Sequence, residues 1–268
     1  MLNYIVMTEE LIQFPTRKKH VSYSEIRNWS ECSFRHKLLY IDGLSTFDAS
    51  VHTVFGTAVH EACENFLKTG EMDPAIATNM IVDEWKNYGF EDVDPWLDKA
   101  EKILAEVPDF LNENFGEWEP IEAEEQLYET IQNDTLKFKG FIDAIIKTRD
   151  KKGNDVYWII DWKTTSWGWH VNKKRDFKVN AQLMYYKQFW AAKHDIPEKS
   201  VKIGFVLLKR DGKTGKRCEL LPVSFGPKSK EKVDKQLRGM LKSVRSGMFI
   251  KNRLSCRFCE FYETEYCT

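Results

Sequence analysis

No stretch of this chain approaches the roughly twenty consecutive apolar residues of a membrane-spanning helix. The opening residues, Met-Leu-Asn-Tyr-Ile-Val-Met-Thr-Glu-Glu, lack a basic region followed by an apolar one, so they do not read as a secretory signal. The expectation is a soluble, intracellular, cytoplasmic protein. Cysteine is sparse, six residues in 268, which argues against a disulfide framework and towards metal binding or burial of the thiols. There are no internal repeats and no low-complexity tracts. The Gly-Lys and Gly-Thr pairs lack the G-x4-G-K-[ST] spacing of a phosphate-binding loop, so the chain carries no motor of that type. Helix-turn-helix, zinc-finger and RNA-recognition patterns are missing too, and sequence-specific reading of a nucleic acid is not indicated.

What is present suffices for a packed core: 42% hydrophobic and 13% aromatic residues in a length that holds one large domain, or one with a sizeable insertion. The net charge of −1 hides a strong asymmetry. Residues 151–268 carry 26 Lys and Arg against 12 Asp and Glu, whereas residues 1–150 carry 14 against 29. Two explanations fit: a basic surface for a polyanion, or an acidic and a basic lobe that pair with each other.

The most informative segment runs from Phe138 to Thr165. Phe-Lys-Gly-Phe-Ile-Asp143 and Tyr-Trp-Ile-Ile-Asp161-Trp162-Lys163 are apolar, β-branched runs around a polar turn at Lys151-Lys152-Gly153-Asn154. They predict adjacent antiparallel strands with Asp143 and Asp161 roughly opposite each other. Strand alternation puts Asp161 and Lys163 on one face and turns Trp162 away. Two carboxylates and an ammonium at one strand end are equipment for holding a divalent metal and steering a water, or else an ordinary cross-strand charge pair.

Around this hairpin the pattern predicts an α/β core. Residues 1–20 read as a loose or strand-like lead-in. Ser22 or Ser24 caps a helix through Ile26, Trp29 and Cys32. A second helix runs from Phe55 to Leu67 and stops at Gly70. Residues 73–119 form an acidic helical insertion of two or three amphipathic helices. A strand at 122–131 precedes the hairpin. A basic loop (Asn172 to Arg175), a helix (180–193), two strands (201–208 and 217–224), a basic helix (228–246) and a cysteine-rich tail (251–268) follow it.

His60 and Glu64 share one helix face, as do Gln182 and Tyr186. Taken in order, Gly56-Thr57-Ala58-Val59-His60-Glu61-Ala62-Cys63-Glu64, Gly140-Phe141-Ile142-Asp143, Asp161-Trp162-Lys163-Thr164-Thr165 and Gln182-Leu183-Met184-Tyr185-Tyr186 resemble the PD-(D/E)XK nuclease superfamily, and within it the RecB-like exonucleases. The resemblance extends from about Ser22 to the C-terminus, apart from the acidic helices. It implies a single nuclease domain over 1–268 with a restriction-endonuclease-like mixed sheet flanked by helices. His60, Asp143, Asp161 and the Trp162 carbonyl would hold Mg2+ or Mn2+. Lys163 would orient or deprotonate the attacking water, Gln182 would help position that water or Lys163, and Tyr186 would contact DNA or brace the site.

Cys256-Arg-Phe-Cys259 with Cys267 behind it, and Cys32 far upstream, suit tetrahedral thiolate ligation. The set is similar to the iron–sulfur subgroup of RecB-like nucleases, which includes the AddB nuclease and the CRISPR-adaptation nucleases. That likeness implies a [4Fe–4S] cluster joining the tail to Cys32 as a C-terminal clasp, with Zn2+ as the alternative. Cys63 and Cys218 read as ordinary buried thiols.

Trp167 and Trp169, followed by Lys173, Lys174 and Arg175, interleave aromatics with cations as single-strand binding does. The function expected is a metal-dependent DNA exonuclease acting on single-stranded or frayed ends, with a helicase or a recombination or CRISPR-adaptation partner supplying any unwinding. CRISPR adaptation, phage or plasmid recombination and general repair fit the chain equally. The alternatives are a non-catalytic DNA-end-binding subunit and a zinc-stapled endonuclease.

Overall fold

The computed structural model describes residues 13–44 and 49–268. The expected lead-in therefore lies outside the described residues for positions 1–12. In chain order the elements are β1 (His20–Ser22), α1 (Tyr23–Glu31), α2 (Ser33–His36) continued by a π-helical turn (Lys37–Ile41), α3 (Val51–Thr69), α4 (Pro74–Tyr88), α5 (Asp94–Leu104), α6 (Val107–Phe115), β2 (Glu119–Thr130), β3 (Lys137–Arg149), β4 (Asp155–Thr165), α7 (Val171–Lys174), α8 (Phe177–Lys193), β5 (Val201–Lys209), β6 (Cys218–Val223) and α9 (Pro227–Arg245). Among the described residues no helix is long and apolar enough to cross a membrane.

Local chemistry sets many of these boundaries. Ser22 caps α1 by accepting the Glu25 amide at 3.3 Å. The α3 helix starts earlier than its apolar pattern suggests, because Ser50 caps it through the Thr53 amide; it ends at Gly70, whose φ of 79° favours glycine. Asp73 and Pro74 begin α4, a capping residue followed by proline at the first helical position. Between β3 and β4, the Asp150 carboxylate accepts the amides of Lys152 and Asn154 at 2.8 and 2.9 Å, with Gly153 at φ 82°.

The fold is mixed α/β, with a central mixed sheet flanked by helices. The described residues separate into two compact units: 13–44, 130–137 and 234–268 form the smaller, and 49–129 and 138–233 the larger. In the larger unit β2 pairs with β3, which continues the order β3-β4-β5-β6. The β3–β4 and β5–β6 pairs are antiparallel and β4–β5 is parallel, α8 lying in the connection between those two strands. The expected acidic helical segment contains α4, α5 and α6. These bury Ile81, Trp85, Ile103, Leu104 and Leu111 in one core with Phe55, Val59 and Cys63 of α3, Ile160 and Trp162 of β4, and Val206 of β5. In the smaller unit the tail is fastened to α1 and α2. Asn252 donates to the Glu31 carbonyl at 2.7 Å and to Cys32 Sγ at 3.3 Å, while Arg35 pairs with Glu260 at 2.9 Å.

Part of the charge asymmetry is internal pairing. Glu106 takes Arg217, Asp134 takes Arg245, and Glu125 takes Lys193 and His194, so three acids of the first half hold bases of the second. Glu125 is the most buried of the three, at 8% exposure. It accepts from Trp190 Nε1 at 2.6 Å, Lys193 Nζ at 2.7 Å and His194 Nε2 at 2.6 Å. Burial alone would raise its carboxyl, but these three bonds outweigh burial and hold it below 4.5. Glu125→Ala should lower stability by about 1–3 kcal/mol at pH 7, since it leaves the buried Trp190 Nε1 without its acceptor. Because the folded value lies below the unfolded one, the contribution is complete above the unfolded value of 4.5 and fades as pH falls through and below it. Urea denaturation from pH 7 to pH 3 should show the gap between the native protein and the variant closing with acid.

Candidate active site

The β3–β4 register, Ala144 opposite Ile160, brings Asp143 and Asp161 to the same level of the sheet. Asp143 Oδ2 accepts the backbone amide of Trp162 at 2.8 Å, which fixes the carboxylate against the neighbouring strand. Asp161 is 1% exposed, and Lys163 Nζ lies 2.5 Å from its Oδ2. The two side chains meet because alternation points both to one face, while Trp162 turns into the core at 1% exposure. The Asp161–Lys163 contact is a close ion pair to a buried carboxylate.

His60 comes from α3, with Nδ1 3.6 Å from Asp143 Oδ2. Burial, then the Lys163 charge, lowers its imidazole to about 4, so the ring is neutral near pH 7 and has a lone pair to offer. Burial raises both carboxyls to about 6; Lys163 opposes the rise in each, and Asp143 adds to it at Asp161. A cation would relieve this excess negative charge. The donor set, two carboxylates and a neutral imidazole, fits a hard divalent ion. Among the described residues, however, no group of three His, Cys, Asp or Glu side chains already stands in metal-binding geometry.

These groups border a cavity of about 410 Å3, lined by His60, Asp143, Trp162 and Lys163 together with His52, Thr53, Thr57, Thr164 and three glutamates, Glu61, Glu64 and Glu124. Repulsion from Glu64, then burial, raises the Glu124 carboxyl. Nothing in Ile-Glu-Ala-Glu-Glu-Gln singled out Glu124; only a positive φ of 55° sets it apart from its neighbours on β2.

Gln182 and Tyr186 sit one turn apart on α8. Gln182 Nε2 donates to the Tyr186 hydroxyl at 3.1 Å, and Tyr186 is 5% exposed. The Tyr186 ring presses on the backbone of Gly140, where a Cβ would lie 2.7 Å from it. Trp169 is 8% exposed and tilted against Phe205 at 5.0 Å, a core residue where a DNA contact was expected, because the loop after β4 folds back over β5. Trp167 is 65% exposed. Lys173 lies over the Trp169 ring at 4.4 Å, Lys174 pairs with Glu219 at 2.6 Å, and Arg175 is exposed.

In the smaller unit Cys32, Cys256, Cys259 and Cys267 line one small cavity with Phe34, Leu38 and Phe261, and all four are free thiols. They too fall short of preformed metal-binding geometry. Cys63 is fully buried and Cys218 partly so; burial pushes the first thiol well up and the second to about 12, which makes them inert.

A family model described as the PD-(D/E)XK nuclease superfamily matches residues 20–264. The fold is similar to a solved structure from Eubacterium rectale described as "Putative exonuclease", with a TM-score of 0.57 and 11% identity over 96% of this chain and 92% of that one. A second solved structure, SSO0001, aligns at a TM-score of 0.34 and 15% identity over 89% and 93%. No curated protein matches.

Gly140→Ala should destabilise the protein by about 1–3 kcal/mol by pushing the Tyr186 ring off the strand. Tyr186→Ala should remove most of that extra cost in the double variant, as measured by denaturant unfolding of all four proteins.

Proposed function

Because the chain belongs to the PD-(D/E)XK nuclease superfamily, we propose that it is a metal-dependent deoxyribonuclease of the RecB-like type, trimming single-stranded or frayed DNA ends. The observation that carries this is the convergence of Asp143, Asp161, Lys163 and His60 at one end of the β3–β4 pair. Enzymes of this superfamily typically use Mg2+ or Mn2+. His60, Asp143, Asp161 and the Trp162 carbonyl would hold the ion, which when bound neutralises the scissile phosphate and acidifies a water.

The chain's own groups do the rest. Lys163, held in its ion pair with Asp161, donates a hydrogen bond that orients the attacking water and faces the charge that builds on the phosphate oxygens as the P–O bond to the leaving nucleotide breaks; the water's proton passes to solvent, and the leaving oxygen takes one from solvent. Tyr186 and Gln182 hold the β3 backbone under Asp143. The cavity's glutamates repel a phosphate backbone until a cation offsets them. Unwinding would fall to a partner such as a helicase.

The four cysteines of the smaller unit would hold a [4Fe–4S] cluster as a clasp between α1–α2 and the tail. Their common cavity supports this, and the choice of iron over zinc rests on the likeness to the iron–sulfur subgroup. Iron and sulfide analysis of anaerobically purified protein tests it. About four irons and four sulfides per chain, lost with thermal stability in Cys256→Ala, are expected; stoichiometric zinc would make the clasp a zinc staple.

Asp161→Ala and Lys163→Ala should each abolish cleavage of end-labelled single strands with Mg2+ or Mn2+ while leaving DNA binding largely intact. Wild-type cutting rates in Asp161→Ala would remove the hairpin from the chemistry. Cutting of a closed circular single strand would make the enzyme an endonuclease.

A further inference from the structure

Phe141 keeps 43% of its surface exposed although it belongs to β3, two residues before Asp143. Two residues along a strand return to the same face about 7 Å away. Lys139, two residues further out on that face, holds its ammonium 5.4 Å from the centre of the Phe141 ring. One strand face thus presents a cation, an aromatic ring and a catalytic carboxylate in succession. The intervening Phe138, Gly140 and Ile142 face the interior, so the exposure of Phe141 belongs to one face and is not fraying of the strand.

A single exposed apolar side chain is ordinary and by itself says little. The backbone under this one is held unusually firmly. The Tyr186 ring packs on the backbone of Gly140 next door, and its hydroxyl is fixed by the bond it accepts from Gln182. The ring is therefore in position before anything binds. Electrostatics also favour this face for a nucleic acid strand. Glu61, Glu64 and Glu124 in the adjoining cavity repel phosphates, so the strand must be gripped by groups outside them, and Lys139 and Phe141 supply a charge and a π-face.

We propose that Phe141 is a stacking platform for the nucleobase beside the scissile phosphodiester of a single DNA strand, with Lys139 holding a neighbouring phosphate. This rests on the nuclease function proposed above. Stacking on Phe141 requires a base released from its complement, so the platform selects unpaired strands without reading their sequence. It positions the backbone over Asp143 and takes no part in the proton transfers.

The test uses the full chain in the Lys163→Ala background, with single strands carrying 2-aminopurine at successive positions from the end. One position should change fluorescence on binding. Phe141→Ala should erase that change and weaken binding about five- to a hundred-fold, whereas Phe141→Trp keeps both. A strand lacking the base at that position should bind equally well to proteins with and without the Phe141→Ala change. With Lys163 restored, the loss should fall mainly on KM. Unchanged affinity and fluorescence in Phe141→Ala, or an equal penalty on the intact and the abasic strand, overturns the platform and leaves the nuclease standing. Absence of any DNA cleavage by the native protein overturns both.

Discussion

Two acidic side chains brought together where water is scarce set the terms for the larger unit. The β3–β4 register places Asp143 and Asp161 at one level, and burial raises both carboxyls to about 6. Such a pair is unfavourable unless something compensates it. Lys163 offsets part of the charge, and the Trp162 amide satisfies one carboxylate oxygen. What remains suits a cation. The folded state carries an unbalanced site that binding of a divalent ion would stabilise.

The helices act on this site from different directions. α3 supplies the neutral imidazole of His60 and much of the cavity lining, and the same helix buries Phe55, Val59 and Cys63 in the core with α4 to α6. α8 contributes a brace: Tyr186 and Gln182 meet over Gly140, so a missing Cβ on β3 becomes a point of fixation for the strand that carries Asp143.

Likeness to the Eubacterium rectale structure at 11% identity is a likeness of fold. Alternating strands, capped helices and a parallel βαβ step can be encoded by many sequences, whereas the chemistry depends on a few side chains at strand ends. In this chain Asp143, in the candidate site, is tied to the fold by a hydrogen bond. Asp143 bonds the β4 backbone and His60 lies against Asp143, so Asp143 cannot be moved without disturbing the sheet.

Much of this was legible in the sequence because it is local. The β3–β4 hairpin, the shared face of Asp161 and Lys163, a serine cap at Ser22 or Ser24, the stop at Gly70 and the order of helices and strands follow from periodicity, turn chemistry and capping, which act over a few residues. Three features are not local, and tertiary structure decided them. Trp169 is buried and Trp167 exposed although both flank Gly168, because only the path of the chain over β5 distinguishes them. Glu124 joins Glu61 and Glu64 because β2 pairs with β3, and no feature of its acidic neighbourhood marked it out. Tyr186 braces the strand because Gly140, 46 positions earlier, leaves room for its ring. The sequence determined which chemical groups the chain carries and how its segments fold; long-range packing determined which of them meet, because contacts between distant segments depend on where every intervening element has been placed.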